Sequence, residues 1–121
     1  MSRDWRLYLD DIERACAKVG RFTAGLERQQ FLEDERTYDA VLHNLQIIGE
    51  AAKQLSESVK SAHPQVPWKQ IAGMRDILIH HYFGVKLDLV WQVVESELPG
   101  FLTRVEAILN ALPEARGPLS D

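Results

Sequence analysis

Apolar residues recur every three or four positions along nearly the whole chain, and this period restricts it to packed helices more tightly than any other feature. Trp5, Tyr8, Ile12, Cys16 and Val19 form a first stripe, with Gly20 as its expected stop. The stretch from Phe22 to Leu32 is ambiguous: Thr23-Ala24-Gly25 reads as a break, and Arg28 to Leu32 could add a short helical turn. Tyr38, Val41, Leu42, Leu45, Ile48, Ala52, Leu55 and Val59 then mark one long helix, from a cap at Asp34 to about Ser61. Such a helix would be about 40 Å long. Gly49 lies inside it, where a glycine costs ~1 kcal/mol against alanine, so a close helix approach is expected there.

His63-Pro64-Gln65-Val66-Pro67 must be a loop, with Pro67 suited to begin the next helix. That helix carries Ile71, Met74, Arg75 and Leu78 and should fail at or before Gly84. Leu87, Val90, Trp91, Val94 and Leu98 mark a further helix. Pro99-Gly100 is expected to separate it from a last one bearing Phe101, Val105, Ile108 and Leu112. Short connections between amphipathic helices predict an all-α antiparallel bundle of about five helices, one domain over 1–112, with a frayed tail over 113–121. No segment alternates with the period of a strand.

At 121 residues the chain holds one core. Fourteen Lys and Arg against eighteen Asp and Glu give a net charge of −4, which disfavours a protein that coats nucleic acid through bulk charge. Net charge does not describe distribution, so a local basic groove stays open. Cys16 is the one cysteine, so no intrachain disulfide can form and a reducing, cytoplasmic setting is expected. No apolar run approaches the roughly 18–20 residues of a membrane span. The charged start MSRDWRLYLDDIERA does not resemble a secretory signal.

The chemistry concentrates in Met74-Arg75-Asp76-Ile77-Leu78-Ile79-His80-His81-Tyr82-Phe83-Gly84. This run contains Arg-x4-His-x-Tyr. A guanidinium holds a phosphate by two donors and stabilises the charge of a transition state. An imidazole titrates near neutrality and can move a proton from a ribose 2′-hydroxyl or to a leaving oxygen. Together they could cleave RNA without a metal, and the sequence has no carboxylate cluster suited to a two-metal site. In an ideal helix Arg75 and Tyr82 share a face, whereas His80 lies about 140° from Arg75. Convergence needs a helix that loosens or ends near His80, or a site shared between two chains.

With its flanks, this run resembles the HepT family, small HEPN-domain toxins of prokaryotic toxin–antitoxin pairs. The flanks are Asn44-Leu45-Gln46-Ile47-Ile48-Gly49-Glu50-Ala51-Ala52-Lys53, Pro67-Trp68, Ile71-Ala72-Gly73-Met74, Leu89-Val90-Trp91 and Leu98-Pro99. The resemblance covers nearly the whole chain. It implies a homodimer that brings two Arg-x4-His motifs into one cleft, and metal-independent RNA cleavage, of tRNA or mRNA, with no cofactor. Carried over, Arg75 and His80 are the catalytic pair, and Asp76 supports them. It also implies a MntA-type nucleotidyltransferase antitoxin that transfers AMP to the motif tyrosine, here Tyr82. His81 receives no role.

Other residues have plainer readings. Asp39 and His43 form a surface pair, Trp68 and Trp91 pack, and Cys16 is a buried small hydrophobe. Adjacent His80 and His81 lack the i, i+4 spacing of helical metal ligands. Asn44 and Glu50 lie off the apolar stripe and either meet the motif helix or face solvent. Two further readings keep the fold without the enzyme: a helical module binding a nucleotidyltransferase, nucleotide or RNA, and a purely structural dimer.

Overall fold

The computed structural model describes residues 4–80 and 87–112, without the side chains of 76–80 and 87. Among these residues every regular element is helical. The elements are α1 (Trp5–Thr23), α2 (Arg28–Glu33), α3 (Glu35–Gln54), α4 (Glu57–Ala62), α5 (Trp68–His80), α6 (Leu87–Gln92), a π-helical turn (Val93–Glu97) and α7 (Leu98–Ala111). The all-α expectation therefore holds. More than five segments arise because α2 and α4 are separate short helices. The expected tail over 113–121 lies outside the described residues.

Each departure from the expected boundaries has a local cause. Helix α1 runs through Gly20 to Thr23, whose hydroxyl donates to the Val19 carbonyl at 2.8 Å. The break falls instead near Gly25, where φ is +76° and a side chain would be strained. The long helix expected to reach Ser61 is interrupted at Leu55, which is extended. Ser56 accepts from the Val59 amide at 3.3 Å and caps α4, so a hydroxyl that competes for backbone donors restarts the helix. Pro99-Gly100 does not separate two helices. Pro99 lies in the first turn of α7, directly after the π turn. A proline has no amide to donate and its ring crowds the carbonyl four residues back, so the wider turn absorbs it without a loop.

The core sits where α1 packs against α3 and α7, and where α3 packs against α5. Leu9, Ile12 and Val19 of α1 meet Val41, Leu45 and Ile48 of α3 and Val105, Ile108 and Leu109 of α7, all buried. Each such side chain contributes roughly 1.5–3 kcal/mol of transfer free energy. Phe31 of α2 is fully buried, with its ring tilted against that of Trp91 of α6 at a centroid distance of 5.2 Å. Arg28 pairs with Asp88 across the same two helices. Trp68 lies edge-on to Phe101 and donates its indole N–H to the His63 carbonyl at 2.9 Å. Both tryptophans are thus packing residues. Cys16 is buried too, and desolvation, then Glu106 and Glu13, push its thiol up to about 12.

Helices α3 and α5 approach closely at Gly49. A Cβ on Gly49 would stand 2.9 Å from the Arg75 Cβ and 3.0 Å from its backbone nitrogen. Neither atom can swing away, so Gly49→Ala must push the helices apart. Overpacking costs about 1–3 kcal/mol, against about 1 kcal/mol gained in helix propensity. Urea unfolding should show Gly49→Ala destabilised. Gly20→Ala, where nothing lies within 4 Å, should be stabilised by roughly 0.5–1 kcal/mol. Equal stabilisation of both variants would refute the close approach.

Candidate active site

Arg75 reaches the site because α5 crosses α3 at a residue without a side chain. The residue after Gly49 is Glu50, so the same crossing brings its carboxylate to the Arg75 guanidinium, and the two form an ion pair. The pair is partly open to solvent, with side-chain exposures of 30% for Arg75 and 47% for Glu50. This decides between the two readings of Glu50: it meets the motif helix. Asn44 instead is buried and donates back to the Ala40 carbonyl at 2.8 Å, closing its polarity within α3.

The pair borders an open cleft of about 460 Å³ between α1, α3 and α5. Tyr8 and Asp11 line it from α1, and His43, Gln46, Glu50 and Gln54 from α3. His43 thus lies in the cleft that Arg75 enters, and among the described residues it makes no ion pair with Asp39. The spacing argument had given His43 only a surface role. No signal in its own helix could have placed it, because the cleft exists only once α5 is laid across α3.

His80 and Asp76 lie on the backbone of α5, and their side chains are outside the described residues. His81 and Tyr82 lie wholly outside them. The helix runs without interruption from Trp68 to His80. It therefore does not loosen between Arg75 and His80, and the two positions stay about 140° apart around one axis. Among the described residues no group of three or more His, Cys, Asp or Glu is placed to hold a metal ion. Among the same residues no helix is long and apolar enough to cross a membrane.

An all-helical, HEPN-like domain with an arginine held over an open inter-helix cleft is the class this architecture defines. The chain belongs to the HepT-like ribonuclease family, whose profile, described as Ribonuclease HepT-like, matches residues 12–108. It is 39% identical over 108 residues to a Thermococcus cleftensis protein named Probable ribonuclease HepT, covering 89% of this chain and 98% of that one. It is equally 39% identical to a candidate RNase of Methanocaldococcus jannaschii over 108 residues, 89% of each chain. A candidate RNase of Caldanaerobacter subterraneus subsp. tengcongensis is 39% identical over 105 residues, 87% of this chain and 94% of that one. No solved structure matches the chain.

The ion pair itself should be weak. A half-exposed pair is worth ~0–1 kcal/mol, because water screens it and two long side chains lose freedom. Glu50→Gln should therefore lower unfolding stability by less than about 1 kcal/mol in urea titrations. A loss of about 3 kcal/mol or more would mean the pair is desolvated and structural.

Proposed function

We propose that this chain is a metal-independent endoribonuclease toxin acting as a homodimer, with Arg75 and His80 as its catalytic residues. Membership of the HepT-like ribonuclease family, with Arg75 held at the mouth of an open cleft, is the observation that carries this reading. The unbroken helix between Arg75 and His80 supports a shared site, since one regular helix does not bring both positions to one face.

In the proposed reaction Arg75 binds the scissile phosphate and stabilises its added negative charge. The His80 imidazole takes the proton of a ribose 2′-hydroxyl, and the oxygen attacks phosphorus. The new bond to the 2′-oxygen forms as the bond to the 5′-oxygen breaks. A second imidazole of the dimer protonates that leaving oxygen. The products are a 2′,3′-cyclic phosphate and a 5′-hydroxyl, with no net change in protons. Asp76, one residue from Arg75, supports the pair. Total tRNA and a generic single strand serve as substrates in EDTA, with protein whose intact mass shows no adduct. Arg75→Ala and His80→Ala should each lose at least about a hundredfold in rate. No cleavage by unmodified wild type would favour a non-catalytic helical module instead.

We further propose that a MntA-type nucleotidyltransferase is the antitoxin and that it transfers AMP to Tyr82. A bulky anion two residues from His80 would exclude an RNA phosphate by size and by charge. Incubation with the transferase and ATP should add the mass of AMP to wild type and silence it. Tyr82→Phe should gain no mass and stay active. Adduct formation on Tyr82→Phe would move the modification to another residue.

A further inference from the structure

A second, larger concavity of about 1140 Å³ lies where the end of α3, the short α4 and the first turns of α5 meet. Lys53, Lys60 and Lys69 line it, one from each helix, opposed by a single carboxylate, Glu57. These are three of the five lysines in the chain. Among the described residues none of the three has an ion-pair or hydrogen-bond partner for its side chain. In a chain of net charge −4, three unneutralised ammonium groups around one groove are a concentrated positive field. The first turn of α5 also opens on the groove, and a helix N-terminus adds positive potential.

The groove and the cleft are neighbours along α3, where Lys53 lines the groove and Glu50 and Gln54 line the cleft. Around α5 they lie on opposite sides, because Gly73 in the groove lining is about 160° from Arg75. The cleft on which Arg75 opens, by contrast, carries the carboxylates of Asp11 and Glu50. Beyond the one phosphate that Arg75 holds, a polyanion is attracted along the lysines. Resting on the ribonuclease reading above, we propose that the Lys53–Lys60–Lys69 groove binds the phosphate backbone of single-stranded RNA outside the cleft that Arg75 lines. It grips the strand without reading its sequence, because ammonium groups contact phosphates as point charges.

The test uses the full-length protein in two assays. In the first, binding of a 12-nucleotide single strand is measured against salt in the His80→Ala background, where no cleavage interferes. The triple variant K53Q/K60Q/K69Q is compared with R14Q/K18Q/R21Q, which removes three exposed charges from α1 and so has the same net charge. Single strands release about 0.7 counterion per phosphate contact, so the groove variant should lose about 2 from the log–log salt slope and roughly 30- to 100-fold in affinity at 0.1 M salt. The α1 variant should lose little. In the second assay, with His80 intact, the groove variant should raise KM for long RNA and leave kcat near the wild-type value. Equal losses from both variants would reduce the effect to bulk charge and overturn the groove. Unchanged binding in the groove variant would overturn it too, leaving the lysines to an acidic protein surface. A wild type that binds RNA through the lysines but cleaves none would refute the nuclease reading and uphold the groove.

Discussion

The contact between Gly49 and the backbone of Arg75 governs the rest of this architecture. Helices in water-soluble bundles are usually held apart by the side chains between them. Here one helix contributes a hydrogen atom, so the backbone of α5 rests on α3. The position of the Arg75 Cα is then set by main chain against main chain, and it does not drift when neighbouring side chains change rotamer. Glu50 gains its place from the same contact, being the next residue along α3. The apolar interface of α1 with α3 and α7 holds α3 still, and that rigid support turns a glycine into a locating feature for Arg75.

What could be read from the sequence was whatever the chain encodes locally. The stripes of α1, α3 and α7 follow from spacing alone, and Ile12, Ile48 and Val105 are buried on those stripes. The close approach at Gly49 was also legible, because a glycine inside a long helix needs a reason. The misjudged boundaries at Gly20, Ser56 and Pro99 share one cause. Each residue is ambiguous between ending a helix and sitting within or starting one, and local hydrogen bonding or backbone geometry decides. Gly20 stays helical because Thr23 bonds back to Val19. Ser56 acts because its hydroxyl is a better partner for the Val59 amide than one more helical turn. The partners of Arg75 were legible only in part. Glu50 stood out as polar beside the stripe, but its contact depends on the crossing. His43 enters the cleft, and Lys53, Lys60 and Lys69 gather around the groove, only once α3, α4 and α5 are packed, and no period within one helix signals that.

The charge distribution resolves the tension between an acidic chain and a polyanionic substrate. Acidic groups face the cleft on the α1 side of Arg75, and lysines gather on the side of α4. A net negative charge limits indiscriminate association, and in the proposed reading the local field sets where a phosphate chain lies.

Arg75 has a carboxylate already in place, and in the proposed reaction a phosphate would compete with it. The exchange is cheap because the pair is half-exposed. Its strength of ~0–1 kcal/mol is comparable to thermal energy, and a bidentate phosphate contact is stronger and more directional. Glu50 can therefore hold the guanidinium over the cleft in the unliganded protein and yield when substrate arrives. A fully buried partner would have locked the arginine, since extracting it would cost several kcal/mol. An arginine with no partner would sample many rotamers, and ordering it on binding would cost up to about 2 kcal/mol of side-chain entropy. The intermediate exposure seen at this pair lies between those limits.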